Sequence, residues 1–172
     1  MNIYLIGYRC TGKTTVGKIL AQTLRWPVLD SDIELVHEQG IPISEIVESK
    51  GWEAFRSIEK NVIQKLSVLD RHVIATGGGA VLDHENVMAM KKSGKLVWLR
   101  AKSETIHRRM TLDSKTEESR PALTDKGVFQ EIKETLNIRN SIYRKAMDIA
   151  IDTDQLKPED ICGIIQGKLI GD

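Results

Sequence analysis

Residues 7 to 14 read Gly7-Tyr8-Arg9-Cys10-Thr11-Gly12-Lys13-Thr14: a glycine, four free positions, then Gly-Lys-Thr. No other feature of the chain constrains its fold as much, because each fixed position has a mechanical requirement. The two glycines let backbone N–H groups turn inward without a Cβ clash and form a concave anion nest. Lys13 can reach the β- and γ-phosphates of a nucleotide, and the Thr14 hydroxyl suits Mg²⁺. A helix starting here turns its positive end toward the same phosphates. Four matched positions arise by chance in roughly one chain of this length in a few hundred. The flanks make chance a poorer explanation still. Asn2-Ile3-Tyr4-Leu5-Ile6 is a short apolar run of the kind a buried parallel strand shows, and Val16, Ile19, Leu20 and Leu24 follow at helical spacing.

The remaining chain repeats that alternation. Apolar runs at 2–6, 27–29, 72–75, 96–99 and 149–151 predict five strands. Helical patterns at 13–24, 32–38, 43–50, 51–69, 83–92, 104–110, 127–146 and 158–169 separate them. Asp83 suits a helix N-cap, and Pro158 suits the first turn of the last helix. Strands alternating with helices imply βαβ units, hence an α/β fold with three α/β/α layers around a five-stranded parallel sheet. The length, 172 residues, suits one domain spanning 1–172, with no repeat or linker. The stretch from about 110 to 125 is polar and poor in apolar anchors, so little burial offsets its ordering entropy. It is expected to be a mobile lid.

Bulk charge excludes some functions. Lys and Arg number 25 against 24 Asp and Glu, so the broad basic surface of a nucleic-acid binder is absent. Two cysteines, Cys10 and Cys162, argue against a disulfide framework and fit a reducing compartment. Cys10, inside the phosphate loop, reads as a small filler side chain. No apolar run has membrane-spanning length, and the first strand begins at residue 2. The protein is therefore expected in the cytoplasm, as a monomer, without nucleic-acid or membrane partners.

In an open α/β sheet, ligands bind outside the carboxyl ends of the strands. The first such end carries the phosphate loop. The second carries Asp30-Ser31-Asp32, and the third Thr76-Gly77-Gly78-Gly79. Asp30 could serve Mg²⁺, and Asp32 could orient or deprotonate a hydroxyl; alternatively, one of the two merely caps the next helix. Three consecutive glycines cost backbone entropy, so they are expected to bring bare N–H groups close to a ligand. Arg56, Arg120 and Arg139 offer planar forks for carboxylate or phosphate, and Glu59, three residues after Arg56, could hold the Arg56 fork in place.

Taken in order, these elements resemble the shikimate kinase family. The matching residues are the loop at 7–14, Leu29-Asp30-Ser31-Asp32, Phe55-Arg56-Ser57-Ile58-Glu59 and Gly77-Gly78-Gly79-Ala80-Val81. Arg120-Pro121-Ala122-Leu123 and Arg139 with Tyr143-Arg144 complete the set, which covers nearly the whole chain. The resemblance implies a P-loop kinase architecture and ATP-dependent phosphorylation of the shikimate 3-hydroxyl, in aromatic amino-acid biosynthesis by way of chorismate. It implies that Asp32 holds the reacting hydroxyl and acts as base, and that Thr14 and Asp30 support Mg²⁺. It implies an ATP site of Gly7, Arg9, Cys10, Thr11, Gly12, Lys13, Thr14, Thr15, Arg109 and Arg120. In it Lys13 and Arg120 are catalytic, Arg109 stacks on adenine and Arg120 closes on the transferring phosphoryl group. Arg56 and Arg139 would clamp the shikimate carboxylate, with Gly77, Gly78 and Gly79 along the ring. Departures fall on the nucleotide side: Ala122 stands where the lid motif usually has Leu, the lid is longer than in compact members, and Asp154-Gln155-Leu156-Lys157-Pro158 differs from the family's usual adenine contacts. Gluconate and nucleoside monophosphate kinases are the nearest alternatives; the triple glycine with Arg56 and Arg139 disfavours them. A nucleotide-dependent switch would need a water-orienting residue and a partner surface, and neither is evident.

Overall fold

Strand β1 (Asn2–Ile6) is buried along its whole length, and the sheet extends from it on both sides. The computed structural model describes residues 1–112 and 127–171. The other strands are β2 (Val28–Asp30), β3 (Val73–Ala75), β4 (Gly94–Arg100) and β5 (Ile149–Asp152). All pairings are parallel, in the order β2-β3-β1-β4-β5. Ile3 lies beside Val73 on one side and Lys95 on the other, which fixes the register of the centre. Seven α-helices are described: α1 (Lys13–Leu24), α2 (Ser31–Gln39), α3 (Ile43–Ser67), α4 (His84–Ser93), α5 (Ser103–Leu112), α6 (Val128–Ala146) and α7 (Pro158–Leu169).

Alternation along β1 builds the two outer layers. Ile3 and Leu5 enter a core with Val16 and Leu20 of α1 and Ile161 and Ile165 of α7. Tyr4 and Ile6 enter the opposite core, with Leu35 of α2, Ile63 of α3, Met90 of α4 and Tyr143 of α6. A strand apolar on both faces is stable only between two helix layers, and each fully buried Ile or Leu contributes about 1.5–3 kcal/mol. The expected three-layer α/β architecture with a five-stranded parallel sheet is thus observed.

Boundaries moved where single residues decide them. Strand β2 ends at Asp30, one residue later than the apolar run predicts. Pro27 has no N–H; its carbonyl alone pairs, accepting from Val73 N at 3.0 Å. The helices expected at 43–50 and 51–69 form one run, α3, broken at Gly51 with φ 81° and ψ 169°, a conformation open to glycine. A 3-10 turn at Ala80–Leu82, too short to show a helical period, follows the glycines. Asp83 caps α4 by accepting from Glu85 N at 2.8 Å, and Pro158 opens α7, both as expected.

Asn2 illustrates how the start of the central strand is fastened. Its fully buried side chain donates to Leu69 O at 2.8 Å and accepts from His72 N at 3.0 Å, tying the connection between α3 and β3 to β1. Asn2→Ala would strand both backbone groups. Urea unfolding should show a loss of about 2 kcal/mol or more, with the m-value unchanged.

Candidate active site

The loop after β1 is held open from inside. Gly7 (φ 139°) and Gly12 (φ 96°) both occupy backbone conformations that L side chains rarely adopt, and a Cβ at Gly7 would run into the Leu99 carbonyl. Lys13 Nζ donates to the carbonyls of Gly7 and Tyr8, 2.8 Å each, and Thr11 Oγ1 donates to Tyr8 O at 2.8 Å. These bonds satisfy the Gly7 and Tyr8 carbonyls with side chains of the loop itself. Gly12 stands immediately before α1, so the positive end of that helix faces the loop.

The carboxylate at the end of β2 has two partners. Asp30 Oδ1 accepts from Asp32 N at 3.0 Å and so caps α2, while Oδ2 accepts from Thr14 Oγ1 at 2.9 Å. Capping and metal support, alternatives in the sequence, are compatible in one side chain. Thr14 and Asp30 offer hard oxygen donors at the mouth of the phosphate loop. Among the described residues no three His, Cys, Asp or Glu form a metal cluster. An ion held by one or two protein oxygens together with phosphates requires none.

Two clefts flank the loop. One is lined by Cys10, Thr11, Gly12, Thr15, Arg109, Thr153, Leu156 and Pro158. Arg109 is fixed there by donating to Thr153 O at 2.6 Å, Thr153 Oγ1 at 3.0 Å and Cys10 O at 3.3 Å. This is the side on which the sequence places the nucleotide. The segment at 154–158, unlike the family's usual pattern, contributes Leu156 and Pro158 as apolar wall.

The other cleft gathers Asp32, Arg56, Glu59, Gly77, Gly78, Gly79 and Arg139 with Tyr8, Arg9, Trp52 and Phe55. Arg56 donates to Glu59 Oε2 at 2.6 Å and lies over the rings of Phe55 and Trp52 at 5.0 and 5.6 Å, so its fork is held from two sides. Burial pushes the Glu59 carboxyl up, with the Arg56 charge opposing. Arg139 donates to Gly78 O at 3.3 Å and Tyr143 OH to the same oxygen at 2.5 Å. Burial also pushes the Tyr143 phenol up to about 12, so it remains a donor.

The glycines differ from expectation. Gly77 N–H is not bare; it donates to Ser31 Oγ at 2.9 Å. A Cβ at Gly77 would meet Asp32 Oδ1 at 2.6 Å and Glu59 Oε1 at 2.8 Å, and one at Gly79 would collide with the Arg56 guanidinium. The missing side chains therefore make room for the site's own charged groups. The side chain of Arg9, a residue expected in the ATP site through the loop motif, lines this same cleft and pairs with buried Glu131 of α6. Glu131, Trp52 and Thr153 were not anticipated from the sequence, and Tyr143 was anticipated there only as a motif residue without a role. Only Glu131 and Tyr143 left a signal there, as members of the four-residue series Glu131, Thr135, Arg139, Tyr143 on one helix. Arg120 and most of the expected lid at about 110–125 lie outside the described residues.

The family model for shikimate kinase matches residues 9–169. The chain belongs to the shikimate kinase family. Shikimate kinase of Hahella chejuensis (strain KCTC 2396) is 39% identical over 160 residues, 93% of this chain and 81% of that protein. Shikimate kinase 2 of Yersinia pestis (strain Pestoides F) is 35% identical over 171 residues, 98% and 97% of the two chains. Among solved structures, shikimate kinase from Acinetobacter baumannii in complex with shikimate superposes with a TM-score of 0.90 at 34% identity, covering 96% of this chain and 90% of that one. Family membership carries a kinase fold and ATP-using phosphotransfer chemistry, and such chemistry generally needs a divalent metal.

The cap that Asp30 makes can be separated from the metal support expected of it. Asp30→Asn keeps a good cap, so unfolding free energy should change by a few tenths of a kcal/mol, whereas Asp30→Ala should lose about 1 kcal/mol. Both should weaken metal-dependent ATP binding alike, measured by titration calorimetry with and without the divalent ion.

Proposed function

We propose that this protein transfers the γ-phosphoryl group of ATP to the 3-hydroxyl of shikimate, giving shikimate 3-phosphate and ADP in aromatic amino-acid biosynthesis. The observation that carries the reading is the acceptor cleft. Asp32 lines it with Arg56 and Arg139, and with Arg9 and Glu59, themselves held by Glu131 and Arg56, while none of these lining residues lines the nucleotide cleft. A hydroxylated ring acid needs that pairing: a carboxylate for a hydroxyl and a bidentate cation for its own carboxylate.

Phosphoryl transfer needs alignment and neutralisation of spreading charge more than covalent help. The amides of the loop, including those of Gly12, Lys13, Thr14 and Thr15, cradle the donor phosphates, and Lys13 supplies the fixed positive charge. Arg109 faces the adenine. Asp32 accepts a hydrogen bond from the attacking hydroxyl and takes its proton as the new P–O bond forms. Arg56 and Arg139 hold the acceptor carboxylate, and Glu59 keeps Arg56 aimed. Arg120, assigned through the family motif alone, closes on the transferring group. The divalent ion is Mg²⁺, supported by Thr14 and Asp30, and when bound it neutralises phosphate charge. No described helix is long and apolar enough to cross a membrane. A cytoplasmic monomer that engages neither nucleic acid nor membrane accords with the balanced charge of the chain.

The test is turnover, followed as ADP release, with shikimate, gluconate and nucleoside monophosphates in parallel. Shikimate should be preferred by orders of magnitude, and absence of turnover with shikimate overturns the reading. Asp32→Asn should lower kcat about 10²-fold or more while ATP affinity holds, because the carboxylate acts on the acceptor; a near-normal kcat excludes it as base. The raised Glu59 pKa sets a sign for pH dependence. Burial favours the neutral acid, so the charged pair with Arg56 is complete only above that raised value and is lost as pH falls through it. The KM for shikimate should therefore climb in acid, beginning above the usual carboxylate range, and Glu59→Gln should flatten this limb in a KM-against-pH profile.

A further inference from the structure

Arg9 occupies a free position of the phosphate-loop motif, where nothing in phosphate binding calls for a guanidinium. Its side chain turns away from the nucleotide cleft and pairs with Glu131 of α6, with side-chain exposures of 12% and 2%. Its Cζ lies 5.6 Å from the Tyr8 ring centroid, and Tyr8 OH makes a long contact of 3.5 Å to Glu131 Oε1. Arg9 Nε is buried and has no hydrogen-bond partner among the described residues. Two consecutive loop residues thus converge on one buried carboxylate.

Stability does not account for such a pair. Removing charges from water costs several kcal/mol per ion, and replacing a buried pair by apolar side chains is often neutral or stabilising. What the pair supplies is a fixed relation between two elements. Helix α6 meets the site at both ends of one four-residue series: Glu131 touches the donor loop, while Arg139 and Tyr143 touch Gly78 O beside the acceptor. Eight residues of helix, about 12 Å, separate Glu131 from Arg139, and twelve, about 18 Å, separate it from Tyr143, as a rigid spacer. We propose that Glu131 is a positioning residue for the transfer step: by holding Arg9, it locks the donor loop to the helix that carries the acceptor clamp and so sets the approach of phosphoryl group and hydroxyl. This rests on the shikimate kinase reading above. An in-line transfer tolerates little misplacement, since a shift of about 1 Å can cost about 10²-fold in rate.

The experiment compares wild type, Glu131→Gln and the double variant Arg9→Met with Glu131→Leu, in steady-state kinetics with ATP and shikimate and in urea unfolding. Glu131→Gln leaves a buried guanidinium without its counter-charge, so it should lose stability as well as rate. The double variant removes both charges and should recover stability. The inference expects kcat of the double variant to remain about tenfold or more below wild type, with the KM for ATP within about threefold. A double variant whose kcat is within about twofold of wild type overturns it, because the pair then only holds structure. A loss confined to either KM overturns it too, because Arg9 would then be a binding contact and not a strut. Wild-type turnover in the same assay separates the two claims: a wild type inactive on shikimate removes the functional reading and this inference with it, whereas an active wild type beside an unimpaired double variant removes the inference alone.

Discussion

The site depends on the placement of β1 at the centre of a parallel sheet. With β3 on one side and β4 on the other, the segments leaving β1 and β3 emerge side by side at the carboxyl edge. The phosphate loop and the glycine loop then lie so close that a Cβ at Gly78 would come within 3.4 Å of Gly7 O. The phosphate loop therefore forms a wall of both clefts, with Tyr8 and Arg9 on one and Cys10, Thr11 and Gly12 on the other. The burial that holds β1 in place, Ile3 and Leu5 toward α1 and α7, Tyr4 and Ile6 toward the other helices, also holds that wall.

Charge in and around the clefts is managed in pairs. Arg56 has Glu59, Arg9 has Glu131, and Asp30 has the N–H of Asp32 and the hydroxyl of Thr14. Each pairing limits the rotamers of its side chains, so less ordering remains to be done when the site is occupied. The glycines serve the same arrangement. At Gly77 and Gly79 the space of a side chain is taken by Asp32, Glu59 and Arg56.

Much of this was legible in the sequence. The loop at 7–14, the strand ends carrying Asp30 and Asp32, the triple glycine and the Arg56–Glu59 spacing follow from local rules in which one residue type answers one backbone or chemical demand. The strands were legible because a buried parallel strand is apolar throughout. Boundaries were less so, since Pro27 and Gly51 act through single hydrogen bonds and single dihedral angles that periodicity averages away.

The sequence by itself determined a phosphate-gripping α/β domain and, through an ordered set of motifs, its family. Only the tertiary structure decided which side chains share a cleft. It paired Arg9 with Glu131, 122 residues further along the chain. It gave Thr153 to Arg109, and it put Tyr143 and Arg139 on one carbonyl of the glycine loop. The physical reason is separation along the chain. Local patterns report the conformation of a few neighbouring residues, whereas these pairs are made by strands and helices that meet only when both faces of the sheet are covered.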